Sequence, residues 1–139
     1  MNLQPAMREK FVGEIRYAVG KMRATTNAME KLYYFSAVYG MAYRVFNFEY
    51  DAEIVFIHQI TNAAYGTINA RIAALTQRVE GGVEIPPNLF TKLEDALEDL
   101  AKRIEKDQET YPVLETISTL AYSATGNGYY LYLKGILKI

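Results

Sequence analysis

The sequence predicts an all-α protein, a mainly antiparallel bundle of five or six helices that forms a single domain over residues 1–139. Apolar residues recur every three or four positions in several segments, which is the spacing that places them on one face of a helix. Clusters of glycine, proline and asparagine separate these segments, as expected for connections between neighbouring helices. Half of the residues are hydrophobic and none is cysteine, so the core must form without disulfides.

The first two helices are predicted from apolar spacing and from their start signals. Pro5 suits the first turn of the first helix. Asn27 and Glu30 resemble a capping box at the start of a second helix that extends to about Tyr50. Between Lys31 and Arg44 the second helix has no charge on any face, so we expect its own fold or a partner to cover it. The apolar residues of the first helix are Met7, Phe11, Ile15, Ala18 and Met22.

The third helix is predicted to begin after a cap at Asp51 and to run from about Ala52 to Val79. No glycine or proline separates it from the second helix, so the two are either separate or one kinked rod. Between Glu53 and Arg71 it has no charged side chain, which indicates a helix buried on several sides, while its His, Gln and Asn residues argue against a membrane span. Its apolar stripe comprises Ile54, Ile57, Thr61, Ala64, Ile68, Ile72, Leu75 and Val79.

The fourth helix follows the clearest break in the chain, which is Gly81-Gly82 and the prolines at 86 and 87. Asn88 is its predicted cap. Its narrow apolar seam and charged exterior predict an exposed helix on the outside of the bundle. We expect the second and third helices to be central. The seam residues are Leu89, Leu93, Leu97, Leu100 and Ile104.

The fifth helix is predicted to start at Tyr111-Pro112 and to end at the glycine-rich segment 126–128. Residues 129–139 fit the alternation of a strand as well as the spacing of a helix. We predict a helix because no partner strand is apparent. An apolar terminus of this kind must dock against a surface or form an exposed patch.

Charge is nearly balanced over the chain, with 15 basic and 16 acidic residues, so we expect no nucleic-acid partner. Residues 1–50 hold seven Lys and Arg against four Asp and Glu, whereas residues 51–139 hold eight against twelve. This split indicates either antiparallel or head-to-tail contacts between chains, or ordinary solvated helix faces. No signal-peptide core or cysteine is present, so we expect a cytoplasmic protein without membrane attachment.

One polar constellation is a candidate site. His58, Asn62, Tyr65 and Asn69 fall within about 60° of one another on a helix, roughly a quarter-turn from the apolar stripe. They form either the wall of a pocket, with His58 as acid or base, or a hydrogen-bonded seam between helices or subunits. We favour the seam, because spacing ties no nucleophile or carboxylate to these residues.

The sequence gives no support for catalysis or metal binding. His58 is the only histidine, and Val55 stands three residues before it, where di-iron bundles carry a glutamate. Glu49 and Glu53 would offer two oxygen ligands on one continuous helix, but carboxylates at a helix junction more often cap it. No nucleophile elbow or phosphate loop is present. We therefore predict neither an enzyme nor a cofactor or metal site.

Tyrosine is the preferred aromatic residue, with twelve Tyr and no Trp. Tyrosine suits an interface core because it supplies packing area and a polar edge. With the missing Cys and Trp and the helix MEKLYYFSAVYGMAYRVF, the chain resembles small uncharacterised archaeal all-helical bundle families of unknown function. The resemblance implies no functional residue. Tyrosines of the second helix region are Tyr33, Tyr34, Tyr39, Tyr43 and Tyr50.

These observations together predict a non-enzymatic, self-associating structural or protein-interaction module that forms a homodimer. Its interface is expected to use the tyrosine-rich second helix and the apolar tail, because together they exceed what one small bundle covers. The alternative is a small-molecule-binding bundle with a polar pocket around His58, Asn62 and Tyr65.

Overall fold

The computed structural model describes residues 1–77 and 84–139, and the regular structure in these residues is helical. The predicted all-α bundle is therefore confirmed. The expected end of the third helix at Val79 and the break at Gly81-Gly82 lie outside the described residues. The helices are α1 (Pro5–Arg23), α2 (Ala28–Phe48), α3 (Ala52–Gln77), α4 (Leu89–Glu105), α5 (Tyr111–Ser123) and α6 (Gly126–Leu133).

Five of the helices close into a ring. α1 packs against α2 and α4, α3 packs against α2 and α5, and α4 packs against α5. Successive helices alternate in direction, so a ring with an odd number of members must contain one parallel pair. That pair is α3 and α5: Glu53 and Thr110 meet where both helices begin, while Thr67 and Thr125 line one cavity further along. The remaining contacts of the ring are antiparallel, and α6 packs against α5.

The core lies inside this ring, and the predicted apolar stripes largely face it. Phe11, Ile15 and Met22 of α1 are fully buried, as is the whole predicted seam of α4. The expectation that α4 is an outer, exposed helix is wrong. Its charged residues occupy one side, while the other side inserts between α1 and α5. The buried residues of α4 are Leu89, Leu93, Glu94, Ala96, Leu97, Leu100, Ala101 and Ile104.

α2 and α3 are buried on one side only, contrary to the expectation from their charge-free runs. Tyr33 and Phe48 of α2 are 71% and 81% exposed. On α3, Phe56 and Asn62 are exposed as well. The charge-free runs of α2 and α3 therefore each have one side that faces solvent in the single chain.

The predicted caps at the ends of α2 and α3 are present. The side chain of Asn27 accepts from the Glu30 N–H at 3.0 Å, although the Asn27 N–H donates to Thr25 and not to Glu30. Asp51 Oδ1 accepts from the N–H groups of Glu53 and Ile54. α2 and α3 are thus two separate helices, because extended backbone at 49 and the Asp51 cap end one helix and start the next.

Two details near the later helix ends differ from expectation. Asn88 stands at the N-terminus of α4, but its side chain makes no capping hydrogen bond. The segment 126–128 does not end α5; it forms the first turn of α6, where the Thr125 hydroxyl accepts from the Gly128 N–H at 3.0 Å. The predicted helix in the tail is thus present to Leu133, and Ile139 packs against the core.

Ion pairs within the chain join basic residues of its first part to acidic residues of its second part. Arg16 pairs with Glu98 and Glu105, and Arg23 pairs with Asp95, so the cations of α1 meet the acidic side of α4. These pairs are exposed and stabilise the fold little, by about 0 to 1 kcal/mol each. They fix the direction and register of α1 against α4.

Replacement of Gly128 by alanine is expected to destabilise the fold. An added Cβ would lie 1.8 Å from the carbonyl oxygen of Tyr122, so α5 and α6 would have to separate. We expect a loss of about 2 kcal/mol or more in the free energy of unfolding, typical of a forced steric clash. Chemical denaturation of the wild-type and Gly128→Ala proteins measures this loss.

Gly20→Ala is the matched control for this prediction. Gly20 lies within α1 on the exposed side, and an added Cβ there meets no atom within 4 Å. Alanine should stabilise the helix by about 0.5 to 1 kcal/mol, because glycine loses more backbone entropy on folding. Equal stabilities of Gly128→Ala and Gly20→Ala would contradict the close approach of α6 to α5.

Candidate functional site

The α2–α3 hairpin places His58 in a cluster of aromatic rings. Its ring centroid lies 6.2 Å from that of Tyr39, 5.6 Å from that of Tyr43 and 5.5 Å from that of Phe46. The histidine is half-buried, and its Nδ1 atom is buried without a hydrogen-bond partner in the described part of the chain. Aromatic rings thus surround the imidazole, and no carboxylate among the described residues contacts it to orient it for acid or base catalysis.

The other residues of the predicted ladder divide between this cluster and the surface. The ring of Tyr65 lies 5.5 Å from that of Tyr39, which joins it to His58 through a shared neighbour. Asn62 is exposed and Asn69 is half-buried. The structure therefore brings His58 and Tyr65 to one aromatic cluster and leaves Asn62 facing solvent.

The main surface cavities among the described residues lie elsewhere. A cavity of about 490 Å³ runs along α1 and is lined by Arg8 and Arg16, both of which are paired with acidic side chains. One of about 620 Å³ lies between α4, α5 and the tail. Two smaller ones lie between α3 and α5. The ladder residues line none of these cavities.

The acidic pair considered for a cation is separated by the turn between α2 and α3. Glu49 lies in extended backbone after α2, so the continuous helix on which the pair depended does not exist. Glu53 Oε2 accepts hydrogen bonds from the Thr110 backbone N–H, at 2.9 Å, and from the Thr110 hydroxyl, at 2.5 Å. Glu53 therefore ties α3 to α5, and no group of metal-ligating side chains occurs within residues 1–77 and 84–139.

A different feature dominates the surface of the hairpin, a stripe along the outer side of α2 that we call the α2 stripe. Its residues are spaced by four, three, four, three and four, which is the spacing of the contact seam in a coiled coil. Met29 is 49% exposed, Tyr33 71% and Tyr43 53%. None of its members is charged. The α2 stripe comprises Met29, Tyr33, Ser36, Gly40, Tyr43 and Asn47.

The polar members of the α2 stripe are already satisfied by their own helix. Ser36 Oγ donates to the Tyr33 carbonyl at 2.5 Å, and Asn47 Nδ2 donates to the Tyr43 carbonyl at 2.9 Å. Their donors would therefore keep partners if another surface covered them. An added Cβ at Gly40 would meet only an Arg44 nitrogen, at 3.7 Å, so packing within the chain does not require this glycine.

Opposite charges stand beside the two ends of the α2 stripe. Glu30 and Arg44 are both exposed. The Arg44 guanidinium contacts the Met41 sulfur, and neither Glu30 nor Arg44 forms an ion pair with another described residue. The outer side of α2 therefore has an uncharged centre with one free acidic and one free basic group at its margins.

The sequence contains the pattern of the α2 stripe, but an analysis that looks only for core-facing residues does not identify it. The tyrosines and the Ser36–Gly40 spacing are evident, but the core-facing residues of α2 follow the same three-and-four rhythm. Only the orientation of α2 in the ring shows that a second series, offset from the first, faces solvent. The aromatic neighbours of His58 were likewise hidden, because they come from the preceding helix.

Comparisons with known proteins identify no relative. No protein-family model matches the chain, and no curated protein or solved structure matches it. Within the described residues, none of the helices combines the length and apolar character that crossing a bilayer requires.

The aromatic cluster makes a pH-dependent contribution to stability. Burial raises the pKa of the Tyr39 hydroxyl above its ordinary value of 10.0, and the neighbouring Tyr65 raises it further. A pKa raised by folding stabilises the protein below the ordinary value, and this stability is lost as pH rises through the folded-state pKa. We expect the free energy of unfolding to fall above pH 10, and to fall less steeply in Tyr39→Phe.

Denaturant titrations at a series of pH values measure this slope. Tyr33→Phe is the control, since Tyr33 is 71% exposed and its hydroxyl is outside the cluster. Its slope should equal that of the wild type. Identical slopes for Tyr39→Phe and the wild type would show that Tyr39 is not desolvated in the cluster.

Proposed function

We propose that this protein is a non-enzymatic interaction module that forms a homodimer by packing the α2 stripe against the same stripe of a second copy. The observation that carries this proposal is the seam spacing of uncharged, solvent-accessible residues on one side of α2, of which Ser36 and Gly40 are half-buried and the others exposed. Residues at this spacing form a continuous line along a helix and interdigitate with a partner helix. Tyrosine and methionine are also enriched in the cores of protein interfaces.

An antiparallel arrangement suits the order of residues in the α2 stripe. Tyr33 and Tyr43 stand at equal distances from Val38 along the chain, and so do Ser36 and Gly40. A two-fold axis beside the middle of α2 would pair Tyr33 of each copy with Tyr43 of the other. The small residues would meet at the centre, where helix backbones approach most closely.

Charge complementarity supports the same arrangement. In an antiparallel pair, Glu30 of one copy comes near Arg44 of the other, and the two-fold axis repeats this contact at the opposite end. A parallel pair would instead bring like charges together. The contact thus supplies the ion-pair partner that Glu30 and Arg44 lack within the described chain.

The outer side of α1 offers a useful comparison. Gly13 and Gly20 also have room for a side chain. Exposed charges surround them, however, including Lys10, Glu14 and Lys21. Burying this side of α1 would desolvate those charges, which disfavours an interface. We therefore assign the contact to α2, and we expect the module to act in the cytosol, as its cysteine-free composition suggests.

The apolar tail is a separate surface. Tyr130, Leu133 and Ile136 are exposed near α6, which packs on α5, whereas α2 packs between α1 and α3. We leave the tail outside the contact through the α2 stripe. A truncation after Leu133 that left the number of subunits in the assembly unchanged would support this choice.

The second candidate function is binding of a small molecule around His58, Asn62 and Tyr65. The buried Nδ1 atom of His58, which has no partner in the described chain, favours it. Native and denaturing mass spectra of the purified protein separate the two candidates. A dimer without an adduct supports the interaction module, whereas a stoichiometric adduct lost on denaturation, and absent from His58→Leu, supports the pocket.

Gly40→Leu is expected to weaken the dimer. A leucine at the centre of the α2 stripe would hold the two helices apart, and overpacking of this kind costs about 1 to 3 kcal/mol. The dissociation constant should rise by roughly tenfold or more, measured by sedimentation equilibrium. Gly20→Leu, the same change on α1, should leave it unaltered. Equal dissociation constants for the two variants would contradict an interface through α2.

A charge exchange tests the antiparallel direction. Arg44→Glu should weaken the dimer several-fold, because each exposed ion pair contributes up to about 1 kcal/mol and the two-fold axis repeats it. The double variant Glu30→Arg with Arg44→Glu should restore wild-type affinity, since the opposite charges again meet. If the double variant is as weak as Arg44→Glu, the two side chains do not face each other across the axis.

A further inference from the structure

Arg71 lies in a groove between α3 and α5, near the start of α6. It lines a cavity of about 280 Å³ together with Thr67, Ala70, Ala74 and Thr125. One guanidinium nitrogen, Nη1, lies 3.9 Å from the position that a Cβ would take at Gly126. The side chain therefore extends from α3 across the groove towards the junction of α5 and α6.

The guanidinium is partly buried but has no counter-charge. Its Nε atom is buried without a hydrogen-bond acceptor, and no acidic side chain pairs with it in the described chain. Burial lowers the pKa of Arg71, and no neighbouring carboxylate offsets this effect. Partial burial without a partner disfavours the charge, so a negatively charged ligand at this position would be stabilising.

The groove contains further polar groups suited to an anion. Among the described residues, the Thr67 hydroxyl makes no hydrogen bond, so it can donate to a ligand in the cavity. Thr125 is already engaged, because its hydroxyl donates to the Tyr122 carbonyl and accepts from the Gly128 N–H. The remaining lining comes from alanines, which leave space beside the guanidinium.

We propose that this cavity binds a small oxyanion, held by the guanidinium of Arg71 and the hydroxyl of Thr67. A planar guanidinium presents two parallel N–H groups that match two oxygens of a phosphate or carboxylate. None of the described residues that line the cavity is acidic, which favours a negative ligand. The site is independent of self-association, because it lies towards α5 and α6 and the α2 stripe lies on α2.

Inorganic phosphate is the first probe, with acetate as the second. Each is titrated into the full chain at constant ionic strength, with chloride as the balancing ion. The readout is the side-chain Nε–H signal of Arg71 in a proton–nitrogen correlation spectrum, identified by its absence from Arg71→Lys. Thermal unfolding at each anion concentration provides a second readout that applies to every variant.

A saturable shift of the Arg71 signal, with a matching rise in Tm, is the expected result for at least one probe. The probe that saturates at lower concentration identifies phosphate or carboxylate as the preferred chemistry. In Arg71→Gln, the anion concentration that gives half of the maximal rise in Tm should be roughly tenfold to a hundredfold higher than in the wild type, as expected for loss of a charge-assisted hydrogen bond. Arg71→Lys keeps the charge but loses the paired donors, so its half-maximal anion concentration should lie between those of the wild type and Arg71→Gln.

Lys10→Gln is the control, since it removes an exposed cation of α1 that lacks an acidic partner among the described residues and lies outside both proposed sites. It should retain the wild-type response. A shift that grows linearly with both anions, or a Tm response that persists unchanged in Arg71→Gln, would overturn the proposal. Circular dichroism confirms that each variant folds before its response is compared.

Discussion

Burial of the apolar side of α4 between α1 and α5 is the contact on which the ring depends. The α1, α2 and α3 helices form one run of antiparallel neighbours that continues through α3 to α5, and α4 closes the ring by packing between α5 and α1. Each fully buried leucine or isoleucine of α4 contributes about 1.5 to 3 kcal/mol, more than an exposed ion pair. The apolar contact therefore supplies the stability. Lys31 sets the register, because its ammonium group meets both the Met22 carbonyl and the buried carboxylate of Glu94.

Closing the ring around α4 determines what remains at the surface. α2 and α3 each use one side for the core, and their uncharged outer sides face solvent. The dimer that we propose would bury the exposed tyrosines and methionine of the α2 stripe. The unpaired guanidinium of Arg71 poses a similar problem on the other side of α3. Both proposals thus start from a feature that the fold of the single chain leaves without a partner, the exposed α2 stripe in one case and the guanidinium of Arg71 in the other.

The fold was predictable where short-range pattern determines structure. The apolar stripes of α1, α3 and α4, and the caps at Asn27 and Asp51, depend on neighbours a few residues away. The position of α4 was not predictable, because a charged exterior does not reveal which helices lie beside the apolar side. Gly128 was interpreted as part of the segment that ends the fifth helix, whereas the structure requires a glycine there because of its contact with Tyr122. The candidate site was found only in part, since the surroundings of His58 come from another helix.

Because the ring contains one parallel pair, the helix dipoles do not cancel completely, and the bundle has a net dipole along its axis. The helix starts of α1, α3 and α5 share one end, where Asn2 contacts Asp51 and Thr110 contacts Glu53. Each helix start carries roughly half a positive charge from its aligned peptide dipoles, and each helix end the opposite. Three starts against two ends leave about half a positive charge uncancelled, and the carboxylates of Asp51 and Glu53 lie at this same end of the bundle. Two copies joined antiparallel through α2 would oppose their remaining dipoles, so the dimer would lose the polarity that each chain has alone.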